Sequence, residues 1–199
     1  MPADRQDLRR RLAALAAGQS GYFTAAQALS VGYSYQGQKF HADRGNWLRV
    51  DRGLFRLPEW PVGEHDDLIR WSLWSRNRAV VSHETALAVH DLGDVNPAVV
   101  HLTVPANFRS RAPGGIRLHR AELPPADIWL WEGFRIATPL RSLLDVAAGT
   151  LELDQLSDAV RRAFEQAWTT QDDLIARAEE LGPRATLRIE RALRLGGML

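Results

Sequence analysis

The chain contains no cysteine among its 199 residues, which excludes disulfide bonds and thiolate metal sites. It has no run of 18 apolar residues, so nothing in the sequence predicts a membrane-spanning helix. The opening MPADRQDLRRRLAALAA carries acids and lacks the apolar stretch of a secretory signal, which fits a cytoplasmic location. Lysine is nearly missing: Lys39 is the only one, and every other basic side chain is arginine.

Catalytic signatures are missing as well. There is no P-loop, no GxGxxG turn and no GxSxG elbow. A nucleotidyltransferase needs a Gly-Ser turn followed by an Asp-x-Asp pair, and this chain has no such pair. A restriction-like nuclease groups carboxylates around a metal, usually beside a lysine. Asp127 and Glu132 come nearest to that grouping, but no lysine follows Lys39. His83-Glu84-Thr85-Ala86-Leu87 has the start of a zinc-protease helix, yet leucine stands where the second histidine must be. The chain reads as non-catalytic, without cofactor or metal.

What is present points to nucleic acid. Residues 1–60 hold nine basic side chains against five acidic ones, whereas the remainder is mildly acidic, although the whole chain is only +1. Phosphate neutralisation dominates non-specific affinity for DNA, so this asymmetry suits a binding module joined to a different one. Leu8, Leu12 and Leu15 recur at helical spacing from Asp4 to Ala17. Thr24-Ala25-Ala26-Gln27 has the form of a capping box for a second, short helix. Gly32 supplies a turn, and Ser34 is the N-cap of a helix predicted over 35–44. Next comes a hairpin in which Trp47, Leu48 and Val50 oppose Leu54, Phe55 and Leu57 across Asp51-Arg52-Gly53.

Helix, turn, helix and tight hairpin is the element order of a winged helix-turn-helix. The candidate DNA-contacting residues are Ser34, Tyr35, Gln36, Gln38, Lys39 and His41 on the second helix of the pair, and Arg49, Arg52 and Arg56 on the wing. Phe40 is expected to be the buried anchor, with Arg49 and Arg56 projecting from one face of the ribbon and Arg52 at its tip. Competing readings remain at this point. Tyr35 and His41 serve equally well as packing residues, and the arginines as a charged edge that keeps the hairpin from aggregating.

The segments GYFTAAQA, WLRVDRGLFRLP, SHETALAVHDL, HLTVP, GIRLHRAELPP and TPLRSLLDVAAG, in this order, resemble the AbiEi family over about residues 19–165. These are antitoxins of type IV, abortive-infection toxin–antitoxin systems. The resemblance implies an N-terminal winged helix that represses its own operon and a C-terminal domain that counteracts a nucleotidyltransferase-like toxin. It also implies double-stranded operator DNA as a partner, with two copies on an inverted repeat. One departure is Gly37 inside the proposed recognition helix, which costs about 1 kcal/mol relative to alanine.

Past a Pro-rich linker at 58–63, the pattern predicts helices over 66–76 and 82–90, then strands over 99–104, 116–119, 128–131 and 134–136. Helices follow over 138–148, 152–166, 170–181 and 184–194. The expected fold is therefore α+β: a winged helix-turn-helix over 1–60, then an α+β domain over 61–199 with a mixed or antiparallel sheet and C-terminal helices. Trp129 and Trp131 alternate on one strand, as a face covered by a helix or as an interaction surface. Arg184, Arg188 and Arg191 fall on one helix face, as a solvated stripe or as a second contact surface. The alternatives to an antitoxin are a stand-alone winged-helix regulator with a ligand-sensing domain, and a metal-dependent nuclease.

Overall fold

The computed structural model describes residues 5–199. The chain divides into two compact units, one running to Asn77 and taking in Leu130–Phe134, the other made of Arg78–Trp129 and Arg135–Leu199. Among the described residues, no helix is long and apolar enough to cross a membrane.

The first unit begins with α1 (Arg5–Ala17), β1 (Tyr22–Thr24), α2 (Ala25–Val31) and α3 (Tyr35–Asp43). It continues through β2 (Leu48–Asp51), β3 (Leu54–Arg56) and α4 (Asp66–Trp74). Local chemistry sets these boundaries. The Thr24 hydroxyl accepts from the Gln27 N–H at 3.1 Å, and the Gln27 side chain accepts from the Thr24 N–H at 2.8 Å. Both orphan donors at the start of α2 are thereby satisfied. Gly32 ends α2 with φ of 120°, a conformation that a residue bearing a Cβ adopts only under strain. The Ser34 hydroxyl caps α3 by accepting from the Gly37 N–H at 3.1 Å.

The three strands form an antiparallel sheet in the order β1-β3-β2. Beneath it lies a core of Leu12, Ala16, Phe23, Ala28, Tyr33, Trp47 and Phe55. Phe23 meets Trp47 edge-on at 4.8 Å and stacks near Phe55 at 5.7 Å, so helices and sheet share one aromatic centre.

The first unit extends beyond the 1–60 boundary read from the sequence, and a buried ion pair supplies the reason. The Arg56 guanidinium on β3 bonds the Asp66 carboxylate at the start of α4 at 2.8 Å, with both side chains almost wholly shielded from water. The Pro-rich segment 58–63 therefore links two parts of one unit.

The second unit holds β4 (Val80–Val81), α5 (His83–Val89), β5 (Val100–Val104) and β6 (Ile116–Arg120). A 3-10 turn (Pro125–Asp127) then leads to β7 (Ile128–Trp131) and β8 (Phe134–Ala137), whose connecting segment counts with the first unit. The sheet order is β6-β5-β4-β8-β7. It is mixed: β4 runs antiparallel to β5 and parallel to β8, and β5 runs parallel to β6. The two-residue strand β4, absent from the sequence reading, lies at the centre of this sheet. Its Val80-Val81 pair is too short to show a periodicity.

Helices α6 (Pro139–Ala148), α7 (Leu153–Glu165), α8 (Gln171–Leu181) and α9 (Pro183–Leu195) complete the chain. Thr138 caps α6, with Pro139 in the first turn where its missing N–H costs nothing. The four helices bury Leu143, Leu156, Leu174, Ile189 and Leu193 in one core, with α9 packed against α6, α7 and α8. The protein is thus α+β, with two sheets and a helical C-terminus.

Candidate nucleic-acid interface

Helix α3 lies beside α2, and its inward face is Gln38, His41 and Ala42, one helical turn apart. Gln38 is only 3% exposed, and its amide donates to the Ala25 carbonyl at 3.1 Å and to the Tyr33 carbonyl at 3.4 Å. This residue, expected at the DNA surface, instead ties α3 to the start of α2 and to the turn. The expectation for Phe40 reverses in the same way: its ring is 51% exposed. Sequence hydrophobicity places phenylalanine inward. The aromatic centre is already filled by Phe23, Trp47, Tyr33 and Phe55, so the helix turns its amide inward to satisfy buried carbonyls.

His41 is half-buried and stacked on Trp47 at 4.9 Å with an interplanar angle of 16°. Burial and the nearby Arg9 and Arg5 charges lower its pKa, so its ring is a neutral packing element rather than a phosphate ligand. Ser34 is exposed but spends its hydroxyl on the α3 cap.

The outward face of α3 keeps Tyr35, 69% exposed, together with Gln36, Lys39, Phe40 and Asp43. Lys39 and Asp43 pair across one turn at 2.5 Å. Arg44, at the C-cap, lays its guanidinium over the Phe40 ring at 5.0 Å.

On the hairpin, Arg52 is exposed at the turn, where its N–H donates to Asp51 Oδ1 at 2.6 Å. Gly53, with φ of 70°, allows the chain to reverse there. Arg49 is also exposed, its guanidinium 5.5 Å above the Phe55 ring. Arg56 departs from its expected place. In the register, Leu48 lies opposite Arg56 and Arg49 opposite Phe55, so Arg49 and Arg56 occupy opposite faces of the ribbon. Arg56 is 8% exposed and bonded to Ser20 O, Pro61 O and Asp66, so burial keeps it from DNA. Two exposed wing arginines remain, Arg49 and Arg52.

In the second unit, Asp127 is a buried acceptor for Arg141 at 3.3 Å and Arg177 at 3.0 Å. Two guanidinium groups thus hold the carboxylate that a nuclease would offer to a metal. His90 faces the Ala137 carbonyl at 2.8 Å. Among the described residues, no three histidine, aspartate or glutamate side chains are placed to hold a metal ion. Trp129 is half-buried against His90 and Trp168, at 5.8 and 5.5 Å, so it packs within its own unit. The arginine stripe of α9 also turns inward in part. Arg184 and Arg188 both donate to the Gly149 carbonyl, at 2.7 and 2.8 Å, and so fix the end of α6.

The structure thus defines a class: an α+β protein whose first unit presents a short exposed helix and an arginine-tipped hairpin. No family model matches the chain, and no curated protein matches it. Among solved structures, the RV2827C protein from Mycobacterium tuberculosis is similar, with a TM-score of 0.59 at 15% identity. The match covers 96% of this chain and 81% of that one, and it is a likeness of fold.

Proposed function

We propose that residues 22–56 act as a winged helix-turn-helix that binds duplex DNA. In this reading α3 enters the major groove, and the β2–β3 hairpin lays Arg49 and Arg52 along the phosphate backbone. The observation that carries it is the pairing of two exposed features in one unit. The outward face of α3 is free of core contacts, and the adjoining turn ends in exposed Arg52. Guanidinium groups match phosphate geometry, and a helix N-terminus bearing Tyr35 and Gln36 is the part that reaches base edges.

The resemblance to AbiEi antitoxins extends the proposal: the chain represses its own operon, and its second unit counteracts a nucleotidyltransferase-like toxin. Support comes from the ordered motifs through residue 149, including SHETALAVHDL and TPLRSLLDVAAG. The second unit is read as a binding domain rather than an enzyme, because its most buried acid, Asp127, is already held by two arginines.

The test uses fluorescence anisotropy with a labelled duplex from the chain's own promoter, across a salt series. Affinity should fall linearly on logarithmic axes, and Arg52→Ala should reduce the slope by about one unit. No binding at low salt would remove the DNA reading. For the toxin, co-expression with the adjacent reading frame, scoring growth rescue by the full chain, decides between antitoxin and simple regulator.

A further inference from the structure

The outward face of α3 is chemically selective. Its centre is Gln36, Lys39, Phe40 and Asp43, because Gln38, His41 and Ala42 take the opposite side of the helix. Reading guanine in the major groove calls for a free arginine or lysine, and reading cytosine calls for a free carboxylate. Here Lys39 and Asp43 pair at 2.5 Å in solvent, so each offsets the other's charge and the face offers a base no net charge from them, and Arg44 is laid over the Phe40 ring. Besides Tyr35 at the edge of this face, what is left pointing outward is an amide and, one turn further on, an aromatic ring that is half in water.

We infer that this face reads A·T base pairs, with Gln36 reaching adenine and Phe40 resting on thymine methyl groups. The inference relies on the DNA-binding reading and adds its base preference. The Gln36 amide presents a donor and an acceptor in the spacing of adenine N7 and N6. Thymine is the one base with a methyl group in the major groove, and contact with it removes apolar ring surface from water. Duplex DNA is the occupant because Arg44 lies over the exposed Phe40 ring and the hairpin of the same unit exposes Arg49 and Arg52, cationic groups that suit phosphates. Gln36 stands at the second position of the helix, near the end that meets base edges.

The experiment selects sites with the full chain from duplexes carrying a randomised central segment. Each thymine in the winning site is then replaced by uracil, which deletes the methyl and leaves base pairing intact. Selected sites should share an A·T core, and uracil at one or two positions should weaken binding by roughly 5-fold or more. Phe40→Ala should bind thymine and uracil duplexes alike, while Phe40→Leu keeps part of the difference. Replacing the partner adenine with 7-deazaadenine should weaken the native chain but not Gln36→Ala. Both side chains are exposed, so circular dichroism of the variants should match the parent. Tight binding to a G·C core, or indifference to the methyl, would overturn this inference and leave DNA binding standing. Failure to enrich any duplex at low salt would overturn both.

Discussion

At the scale of single residues, the wing arginines show how one side chain type serves opposite ends. Arg52 is exposed at a turn, whereas Arg56, four positions on, is buried with three carbonyl or carboxylate partners. Removing one member of a buried ion pair leaves an uncompensated charge, which costs about 3–5 kcal/mol. Asp66→Ala should therefore destabilise the first unit by that amount in urea titration, because Arg56 keeps its burial and loses its counter-charge. Arg52→Ala should leave the urea midpoint unchanged while weakening DNA binding. If the two variants lost stability equally, the assignment of Arg56 to structure and Arg52 to the surface would be wrong. Sequence spacing marked Arg52 as the tip but set Arg56 beside Arg49 on one face of the ribbon; only the strand register puts those two on opposite faces.

At the scale of elements, α3 is a helix whose stability is limited by an interior glycine. Gly37 lies in its interior, and a Cβ there would meet the Ser34 hydroxyl at 3.4 Å, an ordinary contact. Gly37→Ala should raise stability by up to about 1 kcal/mol, read from thermal or urea unfolding. A loss instead would mean that α3 needs the glycine for a reason beyond helix propensity. Helix α2 gives the opposite case. Thr24→Ala removes the hydroxyl from a reciprocal cap and should cost about 1 kcal/mol. These caps, with Ser34 and Thr138, are local in sequence and legible there, because each bond spans three residues. Strand β4 was not legible, since its two residues owe their conformation to partners at Leu102, Thr103 and Ile136.

At the scale of the whole molecule, the second unit sets the response to acid. His83 on α5 and His119 on β6 stack face to face at 3.5 Å, with His101 of β5 at 5.2 Å from His119. Burial first, and then the charges of His119 and His101, push His83 down to about 3, while burial and then the charges of His101 and Arg117 push His119 down to about 4. Burial alone would raise Glu84, but its hydrogen bond to His101 and the histidine charges hold it at about 2. Burial lifts Asp145 to about 6 against the pull of Arg141.

The signs follow from these shifts. Unfolded imidazoles take up protons near 6.5. The folded pair refuses them until about 4 and 3, so stability is full above pH 7 and is lost as acid is added. Asp145 opposes this between 6 and its ordinary value of 3.8, where the folded state takes up the proton first. Glu84 adds a further loss below its ordinary 4.5. Two histidines against one aspartate set a loss of about 1.4 kcal/mol per pH unit near pH 5, made steeper by His41 and His90, whose pKa values burial also lowers. Urea midpoints measured from pH 7.5 down to 4.5 should follow this slope, and His119→Gln should flatten it; a level profile would mean the imidazoles are not held neutral.

The sequence by itself determined which segments become helix or hairpin, where the caps fall, and that the fold is α+β, because periodicity and capping act over a few residues. It also located the exposed turn at Arg52, which glycine and aspartate mark directly. Which face of α3 meets solvent was decided only by tertiary structure, and so was the loss of Gln38 and Arg56 as surface groups. The aromatic centre around Phe23 and Trp47 had no room for Phe40, and carbonyls buried beside it needed an amide donor. A buried polar group must find its partner wherever the packed chain leaves one, and that partner lies 13 residues away for Gln38 and 10 for Arg56.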